Sequence, residues 1–258
     1  MPAAMVQQLP EILLWGFLYF CRIGGLLMVF PGFSSARVPM FVRLMLAVGI
    51  TMALAPLLLH APGAAPPADA RLTLDVLLGL AFQETLKGVA MGLMARMFFL
   101  ALEFLATGMT QFIGLGNFPG MPAEGQEPVP ALVSLIMLSA TALVFVSGLH
   151  GQAIAAVVDS YATLPVGTWL MPADALDGIV SRLARGTYLA LQATAPFVVY
   201  GVIVNLAIGL VNRMVPQIPA YFISLPLIIL GGLFLLFFMA GDMLGVFMAG
   251  FADWLEGE

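Results

Sequence analysis

The residues best able to do chemistry in this chain are four charged side chains in one apolar stretch: Glu84, Lys87, Arg96 and Glu103. A carboxylate inside a membrane segment can carry protons, and such acids often belong to relays. Each acid here also has a cation in helical register. Lys87 follows Glu84 by one turn, and Arg96 precedes Glu103 by two turns on the same face. Structural pairing is the favoured role, with a proton relay as the alternative. Lys87 stands nine residues before Arg96, which puts it on the opposite face at about 100° per residue. A charge at the bilayer centre costs at least about 2.5–3.5 kcal/mol. Charges on two faces therefore require protein or water on more than one side.

Other chemistries lack their residues. No phosphate-cradling GxxxxGK[ST], HExxH, paired CxxC or GxSxG occurs. His60 and His150 lie far apart, each at the end of an apolar region, and read as interfacial polar residues. Cys21 is the only cysteine, so it forms no intramolecular disulfide and reads as a small core hydrophobe. The expectation is a non-enzymatic protein without metal, cofactor or nucleotide.

The elements that hold these residues are long and apolar. Of 258 residues, 62% are hydrophobic and 9% charged, too few polar groups to cover a soluble surface. The chain reads as a membrane protein or a subunit buried in an assembly. Its net charge of −5, with no basic patch, argues against nucleic-acid partners. The N-terminus lacks the basic start and cleavage site of a signal peptide, so the first helix reads as retained.

Six apolar regions are predicted: about 9–30 (with Arg22 inside), 39–59, 72–107, 129–158, 179–211 and 220–250. Pro39 suits a helix start. The segment from His60 to Ala70, rich in Pro and Gly, reads as an exposed loop. Asp174 and Asp177 mark a helix start, where acids complement the dipole. The third region would be roughly 54 Å long as one helix at about 1.5 Å per residue, against a hydrocarbon core of about 30 Å. The fifth is also over-long, with a kink expected at Pro196. Gly88/Gly92 and Gly241/Gly245 have the spacing that lets helices approach closely. Basic residues do not sort cleanly to alternate sides. A simple six-span layout fits poorly.

Two polar interruptions stand apart. Asn205, Gly209, Asn212 and Pro216 form one helical stripe of amides and small residues, with Arg213 in the last turn. Pro216 and Pro219 forbid continuation of the helix. This is a hairpin tip, read either as a tight turn or as a docking surface for other helices. The segment Gly108–Phe118 reads as a loop whose glycines let the backbone fold back. Met109, Phe112, Ile113, Leu115 and Phe118 in it are able to exclude water from a channel, or simply to pack between helices.

The stretch Asn205–Gln217, NLAIGLVNRMVPQ, closely resembles the signature of the flagellar biosynthetic protein FliR family. Pro31-Gly32-Phe33-Ser34-Ser35-Ala36-Arg37-Val38-Pro39, followed by Arg43-Leu44-Met45-Leu46-Ala47, resembles that family's first hairpin. The order of apolar regions extends the resemblance over essentially the whole chain. It implies an all-α, membrane-associated subunit of the type III export gate, made of long kinked hairpins packed with FliP-like and FliQ-like subunits. Residues 1–158 would correspond to a FliP-like part and 159–258 to a FliQ-like part. Unfolded secreted proteins would pass through the gate in the bacterial inner membrane, at the flagellar basal body. The resemblance implies a pore plug over Met109, Phe112, Ile113, Gly114, Leu115, Gly116, Asn117 and Phe118. The segment Pro119–Pro128 lacks an aspartate-proline step found in many relatives. Two other functions are weighed: a secondary transporter using Glu84, Lys87, Arg96 or Glu103, and the equivalent subunit of a virulence injectisome.

Overall fold

The computed structural model describes residues 3–35, 37–65, 73–120, 129–217 and 220–256. Among them stand seven helices and no strand: α1 (Ala3–Val29), α2 (Met40–Leu58), α3 (Leu74–Phe112), α4 (Ala131–Val146), α5 (Leu149–Thr163), α6 (Pro172–Met214) and α7 (Ala220–Leu255). Five are long and apolar enough to cross a membrane, and α4 with α5 makes a sixth if read as one broken span. This is an all-α membrane protein. At about 1.5 Å per residue, α3, α6 and α7 run to roughly 58, 65 and 54 Å, each well beyond the hydrocarbon thickness of about 30 Å.

The sequence dictates the helix ends. Pro39 and Pro130 occupy the cap positions before α2 and α4, where a missing N–H leaves nothing unsatisfied. Prolines 56, 196 and 226 lie inside helices that continue past them. The predicted region 129–158 is two helices, because Ser147 ends α4 and Gly148 takes φ +78°. Only glycine adopts that conformation without a steric penalty. The third region also differs from its expected end at Thr107. Gly108 and Met109 remain helical, and α3 closes only at Phe112. The residues at that end, Met109 and Ile113, have no exposed surface, and their burial outweighs the weak helix preference of Gly108.

The chain forms two compact units. One comprises residues 1–97 and 148–182, the other 98–147 and 183–258. In the first, α1 and α3 approach backbone to backbone through three glycines. A Cβ on Gly25 would stand 2.6 Å from the Thr85 carbonyl oxygen, one on Gly92 2.8 Å from that of Leu26, and one on Gly88 would overlap the Arg22 carbonyl. The Gly88/Gly92 spacing therefore serves a contact within this chain. Gly88→Ala is expected to force α1 off α3 and cost about 1–3 kcal/mol as overpacking; thermal unfolding in detergent would report it. Unchanged melting would rule out the close approach.

The loop between α1 and α2 is clamped by a side chain from the second helix. Arg43 Nη2 donates to the carbonyls of Ser35 at 2.6 Å and Val38 at 3.1 Å. These bonds account for an arginine one turn into α2. Arg43→Ala should loosen residues 31–39, at a cost of about 1.5–3 kcal/mol for the charged hydrogen bonds. Faster amide exchange confined to that loop is the expected readout.

The second unit has an aromatic core. Phe98 and Phe99 of α3 meet Phe247 and Phe251 of α7 at ring separations of 5.6–5.7 Å, edge to face, and Trp254 closes the cluster. Gly186 of α6 makes room for Phe98. By contrast Gly241 and Gly245 face no atom within 4 Å. They line an apolar groove with Leu143, Ser147, Leu244 and Met248.

Candidate functional site

Three regions carry the predicted functional residues, and each is built differently. The first is a fully buried ionic cluster at the meeting of α1, α3 and α5. Glu84 receives Arg22 Nε at 2.6 Å on one oxygen and Lys87 Nζ at 2.8 Å on the other. All three side chains have zero exposure. Two cations around one carboxylate leave an excess positive charge. Its compensation comes from the C-terminal end of α5. Arg22 donates to Ser160 Oγ at 3.0 Å and to the Leu164 carbonyl at 2.8 Å, and Lys87 donates to the Pro165 carbonyl at 2.8 Å. Leu164 is the C-cap of α5, at the negative end of the helix dipole, and Pro165 follows it directly. The Arg22 guanidinium also lies 3.7 Å over the Tyr161 ring, a further cation contact. Tyr19 meets that ring edge-on at 5.7 Å.

Glu84 and Lys87 are thus brought together, with Arg22 as the larger partner that pairing along one helix leaves out. The signal for it lies in the sequence: a cation in the middle of an apolar run requires an acid. Arg96 and Glu103 are half-buried on α3, the first in one compact unit and the second in the other. His60 lies beside a cleft of about 320 Å³ with Asp159 and Pro62, its Nδ1 2.9 Å from the Pro56 carbonyl. Among the described residues, no three His, Cys, Asp or Glu side chains converge as a metal site would require.

The second region is the end of α3 with the turn after it. Met109 and Phe112 are still helical; Ile113 to Phe118 turn back. Leu115 N–H donates to the Thr110 carbonyl at 2.9 Å and Phe118 N–H to that of Leu115 at 3.3 Å. The base is fastened where Ala131 N–H reaches the Phe118 carbonyl and Gly120 N–H that of Val129, both at 2.9 Å. Residues 121–128, which contain most of the segment lacking the aspartate-proline step, lie outside the described residues. Met109 and Ile113 are buried; Phe112, Gly114, Leu115 and Gly116 are half-buried; Asn117 and Phe118 are exposed.

The third region is the hairpin tip. α6 continues to Met214, so Asn205, Gly209, Asn212 and Arg213 are all helical and Pro216 stands in the turn. All five are exposed on this chain; Pro219 lies outside the described residues. The Asn205 amide donates back to the Gly201 carbonyl at 2.8 Å, and Gly209 faces nothing within 4 Å. The apolar neighbours on both arms are also open, among them Leu206, Leu210, Leu227 and Phe234.

The buried ionic cluster is closed on itself, the apolar turn is anchored, and the amide-bearing hairpin is open. Comparison with known proteins gives the chain a family. The profile of the bacterial export proteins, family 1, matches residues 13–254. This chain belongs to that family. Within it, the chain is 31% identical over 223 residues to a flagellar biosynthetic protein FliR of Caulobacter vibrioides, covering 85% of each chain. It is 29% identical to the FliR of Escherichia coli over 86% of this chain and 84% of the relative. The FliR of Aquifex aeolicus is likewise 29% identical over 88% and 85%. The FliR resemblance of the two hairpin motifs thus extends to nearly the full length. As a FliR-family protein it places the PGF…R loop at the α1–α2 turn and the NLAIGLVNRMVPQ signature at the α6–α7 turn.

Proposed function

We propose that this protein is a non-enzymatic subunit of the flagellar type III export gate in the bacterial inner membrane, at the base of the flagellum. It joins FliP-like and FliQ-like subunits through the 205–217 hairpin, residues 1–158 taking the FliP-like place and 159–258 the FliQ-like place. It closes the resting pore with residues 109–118, and unfolded flagellar proteins pass when that segment moves. The observation that carries the reading is the family match from residue 13 to residue 254. The names of the relatives favour the flagellar over the injectisome form.

Physical chemistry supports the same reading. Asn212 and Arg213 are exposed beside large apolar side chains. In lipid those polar groups would be costly, whereas a neighbouring helix can hydrogen-bond them. The over-long α3, α6 and α7 fit an assembly that rises beyond the bilayer. Two of the four residues a transporter would use, Glu84 and Lys87, are fully enclosed with Arg22, which speaks against that reading. Removing the gene from its own host should abolish secretion of flagellar proteins and swimming, both restored by a plasmid copy. A deletion strain that still secretes flagellar subunits would sink the proposal.

A further inference from the structure

Residues 112–114 rest in a seat that α6 and α7 build from glycines. A Cβ on Gly201 of α6 would overlap the side chain of Phe112, and one on Gly232 of α7 would stand 2.5 Å from the Ile113 Cβ. Ile113 has no exposed surface. Gly114, at φ +75°, turns the chain so closely over α7 that its Cβ position lies 3.3–3.6 Å from the side chains of Leu225, Ile228 and Ile229. Next to Gly232, Gly231 leaves room for Tyr200, whose hydroxyl donates to the Ile228 carbonyl at 2.8 Å and fixes α6 against α7. Beyond Gly114 the packing thins: Asn117 and Phe118 are exposed.

We propose that Gly201 and Gly232 are positioning residues that set the resting place of the pore-closing segment, holding residues 112–114 as a fixed root. This rests on the plug reading above and adds what positions the plug. Each notch admits one side chain and leaves no room for a methyl group, so the root has one packed position rather than a range of them. Packed interfaces of this kind switch between discrete arrangements. The stretch Leu115 to Asn117, between this root and the Phe118 carbonyl fastened by Ala131 N–H, is then the part that moves. Gly114 supplies the pivot, since its left-handed conformation costs a glycine little and leaves its backbone free to change.

The test is the resting ion leak of bacteria carrying the variant protein within their own export apparatus, with assembly followed by native mass spectrometry. Gly232→Ala should displace Ile113 and raise the leak about tenfold or more, the change in closed-to-open ratio that a modest loss of differential packing produces. Gly201→Ala should act likewise through Phe112. The pair Gly232→Ala with Ile113→Ala restores the space and should leak less than Gly232→Ala alone. If Gly232→Ala does not accumulate, the same pair should restore both assembly and closure, and its failure to do so overturns the inference. An assembled Gly232→Ala gate as tight as wild type overturns it as well. Deleting residues 110–118 separates the two levels. A leaky deletion beside a tight Gly232→Ala removes the seat and keeps the plug; a tight deletion removes the plug reading and the seat with it.

Discussion

Glu84→Gln should destabilise the protein by about 3–5 kcal/mol, the cost of breaking a buried ion pair from one side. The substitution keeps the shape and removes the charge that holds Arg22 at 2.6 Å and Lys87 at 2.8 Å. Two cations would then face each other with no exposed surface. Folded domains are stable by only about 5–15 kcal/mol, so the loss takes a large fraction of the total. Low accumulation in the membrane and a lowered melting temperature in detergent are the expected readouts. The sign of the charge effect has its own control. Adding Lys87→Met to Glu84→Gln returns the cluster to the wild-type excess of one positive charge, and the introduced amide can still accept from Arg22. The double variant should recover part of the lost stability. Wild-type melting for Glu84→Gln would show that the cluster does not hold α1, α3 and α5 together.

Removing residues 110–118 should have the largest effect on permeability. The segment contributes Phe112, Ile113, Leu115 and Phe118, apolar groups of the kind that close a channel by excluding water. Ile113 is completely buried, and truncating such a side chain costs about 2–5 kcal/mol. With that root and the apolar tip both gone, nothing of the plug stays in place, and a shift of the closed-to-open ratio of about tenfold or more is expected, at about 1.4 kcal/mol per factor of ten. The resting leak of small ions should rise accordingly while the complex still assembles. The deletion also vacates the notches at Gly201 and Gly232, so assembly has to be measured beside leak. An assembled gate of unchanged conductance would remove the plug.

Much of the architecture is legible in the sequence because apolar length and proline position speak directly. Pro39 and Pro130 announce two helix starts, and the stretch after Leu72 announces a helix too long for a bilayer. The end of that helix is not legible at Gly108. A glycine there suggests a loop, but the burial of Met109 and Ile113 is a tertiary effect that local preference does not carry. The break at Ser147-Gly148 is hidden because the apolar run continues on both sides of it. Two glycine pairs of identical spacing behave differently: Gly88/Gly92 meet α1, while Gly241/Gly245 face an open groove. Spacing alone does not say whether a partner helix lies opposite.

The ionic cluster shows the same limit from the other side. Lys87 is readable as a partner of Glu84 because the two lie one turn apart on α3. Arg22, 62 residues away from Glu84, meets it only through the register in which α1 crosses α3. Ser160 and the carbonyls of Leu164 and Pro165 join through α5, and nothing local marks them. The seat for residues 112–114 likewise depends on Gly201 and Gly232, which come from two different helices far along the chain. The hairpin is readable as a motif, and its open amides and apolar neighbours become visible only in the folded chain.

The most direct test of the central claim is native mass spectrometry of this protein co-expressed with the FliP-like and FliQ-like proteins of its own host and extracted in mild detergent. The expected result is a discrete complex holding one copy of this chain, lost when Asn212 and Arg213 in the hairpin are replaced by leucine. A stable chain that ignores both partners at every stoichiometry would contradict the export-gate account.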